Sequence, residues 1–314
     1  MNSSNASSRC RFSLERVASI IRLKAFRAVR FHIRPLLLAL LCIAWNHAGA
    51  IRILVSGSAS YNNGDPTSSQ ITNWDTGWGA GNITGWNYVG TVNGASGVYL
   101  GNNWVITAGH VGVGTFILDG TDYNMVAGSA RSISNPGGGT ADLNLFQVTQ
   151  APDLPPIQLA ISDPVAYSTQ VAMIGYGGGQ GETWGLNTIT AVNGTVGLQG
   201  YTSTDFETGY GNFELVGGTD FSNFAEFVSD DSGGGDFSYN NSTGEWNLTG
   251  INEEVNGQSD SFMVQVDAYS PQIDQITGVP EPDSSTLAVI ALAFTMAVAR
   301  RRRPRAGGNW RGFW

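Results

Sequence analysis

Cysteine is almost absent from this chain. The 314 residues include two, Cys10 and Cys42, and both precede residue 51. The stretch 51–279 therefore has no disulfide framework and no cysteine-based metal site. Histidine is nearly as scarce: His32 and His47 are N-terminal, so His110 is the sole imidazole of the body, which excludes a His-rich metal centre. Cations are missing as well. Between residues 51 and 279 only Arg52 and Arg131 oppose 22 acids, a net of −20, although the whole chain sums to −9. A body this acidic is repelled by phosphate backbones, so nucleic acid is excluded as a partner. Sustained helical periodicity is lacking too, until a short stretch at Ser270–Ile276.

The missing cations lie at the two ends. Eight basic residues precede residue 51 and six follow residue 299. Arg22, Lys24, Arg27, Arg30 and Arg34 lead into the apolar run Leu36–Trp45, followed by the small-residue site Ala48-Gly49-Ala50. This order reads as a secretory signal over residues 1–50, the alternative being an uncleaved anchor. At the other end come Val279-Pro280-Glu281-Pro282, the apolar run Leu287–Ala299 and Arg300 to Arg303. Triplet, apolar run and arginines in that order resemble the bacterial PEP-CTERM sorting signal over residues 279–303. The resemblance implies passage through the inner membrane, contact with sorting machinery, and a final place in the envelope or outside the cell. A plain C-terminal anchor is the alternative, and residues 304–314 continue beyond the usual pattern as a tail. The arginines would stay cytoplasmic by the positive-inside rule.

The body is Gly-, Asn-, Ser- and Thr-rich but holds enough Val, Ile, Leu, Phe and Trp for a core. Short β-branched and aromatic runs recur between turn residues: Tyr88–Val92, Gly97–Leu100, Trp104–Thr107, Thr115–Leu118, Leu143–Val148, Val171–Ile174, Ile189–Val196, Phe224–Val228, Trp246–Ile251 and Phe262–Val266. That spacing predicts an all-β sandwich or barrel protein. Residues 51–85 read as a loop-rich lead-in segment, and Pro152, Pro155 and Pro156 mark a connector near 150–157 between two halves.

Three places can carry chemistry. The apolar strand Trp104-Val105-Ile106-Thr107 delivers His110 into a glycine turn. Asp142 opens the alternating stretch Leu143-Asn144-Leu145-Phe146, where a buried charge needs a partner. Ser232 follows Asp230 and Asp231 and precedes three glycines, which permit close backbone approach. A hydroxyl, an imidazole and a carboxylate are the parts of an activated serine nucleophile. Against this, His110 can be a turn or core histidine, Asp142 a turn cap with Asp119 or Asp122 as third member, and Ser232 part of an ordinary Gly-rich loop.

At these residues the sequence resembles the trypsin-like, chymotrypsin-fold serine proteases. Thr107-Ala108-Gly109-His110 is similar to the family's "TAAH" motif, Asp142-Leu143-Asn144-Leu145 to "DIAL", and Asp231-Ser232-Gly233-Gly234 to the core of "GDSGG". Met173-Ile174-Gly175-Tyr176-Gly177 and Phe262-Met263-Val264-Gln265-Val266 support the match, which covers about residues 86–276. The resemblance implies two six-stranded β-barrels with a short C-terminal helix, within a protease domain at 86–278. It makes Ser232 the nucleophile, His110 the general base and Asp142 its orienting acid, with backbone N–H groups of Asp230 and Ser232 as the oxyanion hole. The implied partner is a protein or peptide substrate, and no cofactor or metal is required, although the acidic loops could hold a structural Ca²⁺.

Departures matter. The family has Gly where this chain has Asp230. At about 6 Å a carboxylate opposes an oxyanion by about 3 kcal/mol at an effective dielectric of 20, and by less than about 1 kcal/mol in water. Ala95 and Val111 stand where many relatives have a disulfide, so packing must replace it. Asp231 matches the acid that receives a new N-terminal ammonium, which cleavage after Ala50 would create at Ile51. Counting back six residues from Ser232 puts Glu226 where relatives have the base of the substrate pocket, and the resemblance places Glu253 and Glu254 near its wall. Acids there would favour Arg or Lys at the cleavage position. The expectation is an exported serine endopeptidase. The alternatives are a protease-fold binding module of the envelope and a β-sandwich adhesin, which leaves His110 and the triple-glycine loop unexplained.

Overall fold

A computed structural model describes residues 51–55, 58–60, 62–209, 225–256 and 260–278. Both targeting signals fall outside these residues. Among the described residues no helix is long and apolar enough to cross a membrane.

Two seven-stranded sheets carry the described residues, with a small three-stranded sheet of β1 (Arg52–Val55), β2 (Ser58–Ser60) and β14 (Ala225–Glu226) against the second of them. The first large sheet is built from β3 (Val89–Val92), β4 (Ala95–Gly101), β5 (Trp104–Ala108), β6 (Phe116–Leu118), β7 (Thr121–Tyr123), β8 (Arg131–Ser134) and β9 (Thr140–Gln147). Its order is β7-β6-β3-β4-β5-β9-β8. The second contains β10 (Gln158–Leu159), β11 (Gln170–Gly175), β12 (Thr183–Leu198), β13 (Tyr201–Thr208), β15 (Gly235–Asn240), β16 (Glu245–Val255) and β17 (Ser261–Gln265). Here β16 pairs with β15 on one side and β17 on the other, so six strands close on themselves and β10 flanks β16 in parallel. Closure removes the exposed edges that a sheet otherwise presents. The one α-helix among the described residues, α1 (Ser270–Thr277), follows the last strand, with Pro271 in its first turn and Gly278 as a left-handed cap. This is the chymotrypsin-like double β-barrel that the motifs imply, with seven strands rather than six in each sheet.

The core follows from the apolar runs. Val89, Val98, Val105, Ile106, Phe116, Leu143, Leu145 and Phe146 fill the first barrel, fully or almost fully buried. A second cluster of Ile51, Val171, Met173, Ile189, Phe206, Ala225, Phe227 and Met263 fills the other. Acids intrude on the second barrel as well, and among them Asp236 is completely buried, with neither of its oxygens meeting a donor among the described residues. Burial, and then the charge of Asp231, hold its carboxyl well above the usual range.

The lead-in segment is ordered by tryptophan. Trp74 and Trp78 are buried, and Trp78 stacks on Trp246 of β16 with centroids 5.3 Å apart and planes 1° from parallel. Asp65 accepts hydrogen bonds from the Trp74 indole and the Thr84 hydroxyl, both at 2.8 Å. Residues 62–88 thus lie against the second sheet before the chain enters β3. The proline-containing residues 148–157 run from β9 to β10.

Candidate active site

Register brings His110 to Asp142. Strands β5 and β9 are antiparallel with Ala108 opposite Leu143, so the turn after β5 ends beside the start of β9. His110 sits in that 3-10 turn, Gly109–Val111, and Asp142 is wholly buried. One carboxylate oxygen of Asp142 accepts the His110 backbone N–H at 2.7 Å, and the other lies 2.6 Å from Nδ1. One carboxylate thus holds the backbone and the Nδ1 side of the ring, which leaves Nε2 to act as a base. Gly109 is required here: a Cβ would fall 2.8 Å from both Asp142 Oδ1 and the Tyr201 ring. Tyr201 and Asn144 each donate a hydrogen bond to the Gly109 carbonyl at 3.2 Å, fixing the turn.

Ser232 is placed by a loop between β14 and β15 that both barrels grip. From β4, Ser96 N–H donates to the Ser232 carbonyl at 2.9 Å, and the Ser96 hydroxyl donates to that of Asp230 at 3.3 Å. From the second barrel, Asn252 donates to the Asp231 carbonyl at 3.1 Å, and Gly233 N–H donates to the Asn252 carbonyl at 2.8 Å. Gly233 has φ +85°, and a Cβ there would lie 2.2 Å from the Ser96 carbonyl oxygen. Only glycine satisfies both demands. Ser232 and His110 line one cleft of about 170 Å³. The Ser232 hydroxyl donates to the Glu253 carbonyl at 3.3 Å in this resting arrangement.

Neither the Asp230 N–H nor the Ser232 N–H meets an acceptor among the described residues, which leaves both donors available. Asp230 takes the left-handed conformation, φ +77°, and its side chain is exposed. Its charge is therefore solvated, and the weaker of the two Coulomb figures applies. We expect Asp230→Gly to raise nucleophile reactivity by no more than about fivefold, that ratio being less than about 1 kcal/mol. Labelling rates of the two proteins check this, and a gain of a hundredfold would show the acid spoiling the site.

Asp231 faces away from the cleft. Its Oδ1 accepts Gly177 N–H at 2.7 Å, its Oδ2 accepts Val228 N–H at 3.0 Å, and the Ile51 amide also donates to it. Burial dominates these donors and pushes the carboxyl up to about 8.

The acids expected in the substrate pocket are placed differently. Glu226 does not line the cleft: it is buried on β14, opposite Arg52 of β1. The next two residues, Phe227 and Val228, form the wall instead. Counting from Ser232 gives a position along the chain but not the direction of a side chain. Glu253 does line the cleft, yet it is only 2 % exposed and its carboxyl is turned inward, where Ser203 Oγ donates to Oε1 at 3.3 Å. Glu254 is half-buried at the rim. Ser203 is a site residue that the motifs did not reveal, since its hydroxyl also accepts the Asp142 backbone N–H at 2.9 Å. A separate cavity of about 310 Å³ contains Tyr176, which donates to Glu182 at 3.0 Å, and none of the three motif residues. Among the described residues no three or more His, Cys, Asp or Glu gather as metal ligands.

A family match agrees with the fold. Residues 76–273 match the family described as Trypsin. No curated protein matches the chain. Among solved structures, the active form of the Rv3671c protease from M. tuberculosis is 15% identical, with TM-score 0.40 over 60% of this chain and 75% of that one. The NS6 protease from murine norovirus 1 is 14% identical, with TM-score 0.41 over 60% and 94%. The HtrA-type protease AlgW, solved with a decapeptide, is 21% identical, with TM-score 0.41 over 58% and 51%.

Proposed function

Since this chain belongs to the trypsin family, we propose that it is a serine endopeptidase whose nucleophile is Ser232. The observation that carries this reading is the two-handed grip of Asp142 on His110, across one cleft from Ser232. On substrate binding the Ser232 hydroxyl leaves the Glu253 carbonyl and turns to His110 Nε2. His110 takes its proton as Oγ attacks the scissile carbonyl, and Asp142 stabilises the resulting imidazolium. The developing oxyanion is met by the two free N–H groups, of Asp230 and Ser232. Losing one such donor costs about 3–4 kcal/mol in comparable enzymes. The proton then returns to the leaving amine, and water repeats the sequence on the acyl-enzyme.

Phe227, Val228 and Val255 wall the cleft beside Ser232, so the side chain it takes is apolar rather than basic. The signal at residues 1–50 and the sorting segment at 279–303 make the enzyme an exported one, acting in the envelope or beyond. The test is covalent labelling of the purified protein by a fluorophosphonate. We expect one label per chain, none in Ser232→Ala, and peptide cleavage after apolar residues. A folded protein beginning at Ile51 that takes no label overturns the reading in favour of a binding module. Cleavage confined to Arg or Lys sites overturns the specificity alone.

A further inference from the structure

Behind His110 and Asp142 lies a pair of acids that this mechanism does not use. Asp205 of β13 and Glu253 of β16 are 1 % and 2 % exposed, and neither is paired with a cation among the described residues. One oxygen of each has an ordinary donor: Val196 N–H reaches Asp205 Oδ2 at 2.9 Å, and the Ser203 hydroxyl reaches Glu253 Oε1 at 3.3 Å. The other two oxygens, Asp205 Oδ1 and Glu253 Oε2, are buried and meet no N–H or hydroxyl among the described residues. The two carboxyls act directly on one another, Asp205 adding to the rise of Glu253. Ionised carboxyls only accept, so two buried oxygens without a donor are satisfied together only by a proton held between them. Ser203 connects the pair to the site, because the hydroxyl that donates to Glu253 accepts the Asp142 backbone N–H.

We propose that Asp205 and Glu253 hold one proton between them and, through Ser203, act as positioning residues for Asp142 while that proton is retained. The inference rests on the roles given above to Asp142 and His110. With the proton in place the pair carries one charge, Glu253 stays against Ser203, and Ser203 holds the first residues of β9. When the proton leaves to solvent, two carboxylates face each other next to a third. Repulsion then draws Glu253 from Ser203, and the anchor on the Asp142 N–H is lost.

The surroundings favour retention. Facing the pair are Asp142 from β9, Glu254 from β16 and the Tyr269 phenol ahead of α1, with His110 beyond Asp142. Tyr269 is fully engaged, its hydroxyl accepting Thr204 N–H at 2.8 Å and donating to Asn135 at 2.7 Å. All the acids nearby repel a second charge. Burial first, and these neighbours next, hold the Glu253 carboxyl far above the usual carboxylate range, and Asp205 is raised by burial in the same way.

NMR of His110 in the full chain tests this without relying on activity, its signals being assigned by their loss in His110→Gln. Glu253→Gln puts an amide N–H where the shared proton was. We expect the His110 titration midpoint to stay within about 0.2 pH unit of the parent, because no charge has been removed. Two ionised carboxylates in the parent would instead make this variant lose a negative charge, and the midpoint would fall by about one unit, overturning the proposal. Asp205→Asn is the mirror test and carries the same expectation. In the parent, His110 also reports a second, alkaline inflection as the shared proton leaves. That inflection is absent from Glu253→Gln, and its persistence there also overturns the proposal. The positioning role is read from the low-field resonance of the proton between His110 Nδ1 and Asp142. We expect it to survive in Glu253→Gln and to broaden away in Ser203→Ala, at unchanged thermal stability. A sharp resonance in folded Ser203→Ala refutes the link. Should that variant unfold, Glu253→Leu breaks the same link from the far side of Ser203 and is read in the same way.

Discussion

Asp142→Asn is expected to slow both labelling and peptide hydrolysis about 10⁴-fold while leaving the barrels folded. The size of the effect follows from proton placement rather than from lost charge alone. Asp142 accepts twice from His110, at the backbone N–H and at Nδ1–H, so the neutral ring carries its proton on Nδ1 and offers Nε2 as a base. An asparagine keeps the shape and one acceptor, which goes to the backbone N–H. Its amide then faces Nδ1 with a donor, and the ring must move its proton to Nε2. The base is lost before the reaction begins. Asp142 is completely buried, so water cannot take over the missing acceptor. Labelling rates and thermal unfolding measured together decide the matter. A folded Asp142→Asn that labels within tenfold of the parent would show that this carboxylate does not set the tautomer.

The second large effect belongs to the other end of the chain. A protein that begins at Ile51 is expected to label at least about 100-fold faster than one with a single serine ahead of it. Ile51 is completely buried among Val171, Met173 and Ile189, its N–H donates to Asp231, and β1 behind it pairs with β14. In the uncut chain that amide offers one hydrogen and no charge, so the Asp231 carboxyl is raised by burial to about 8. A free ammonium at the same place supplies the missing countercharge. Leaving a buried charge without its partner costs about 3–5 kcal/mol, ample for the ratio expected. Asp231 also anchors the loop that carries the Asp230 and Ser232 N–H groups, so the countercharge steadies the oxyanion donors. Asp231→Asn should erase the difference between the two proteins. Equal labelling with and without the extra residue would remove any N-terminal activation step.

Much of this was legible in the residues, for identifiable reasons. Strands whose buried positions are Val, Ile, Leu or Phe announced themselves, β5 and β11 among them, and so did the helix after β17. Strands with polar interiors did not. Along β13 the buried positions include Ser203, Asp205 and Thr208, and β15 opens on Gly235 and Asp236, so neither has the apolar alternation that marks a strand. The lead-in segment reads as loop and has no regular element over residues 63–84; its order was hidden because it comes from three tryptophans, one of them 168 residues further along than Trp78. His110, Asp142 and Ser232 were legible because their chemistry constrains their immediate neighbours. Ser203 was not, since its place beside Asp142 depends on β13 crossing behind β9. Glu226 misled because a count along the chain carries no facing.

The buried acids make folding of this chain a proton-uptake reaction. Asp231 and Glu182 are raised by burial to about 8 and about 9, and Asp236 is also raised. In the unfolded chain the same carboxyls ionise near about 4. Between those limits the folded form binds more protons than the unfolded one, so stability from these groups is full below about 4 and drains away as pH rises through about 8. The folded body in neutral solution is accordingly less negative than its formal charge of −20. Denaturing it there acidifies the solvent, and a mildly acidic surrounding is the one that favours the folded chain. Cutting before Ile51 takes Asp231 out of that set, so maturation would also extend the enzyme's tolerance toward alkaline pH.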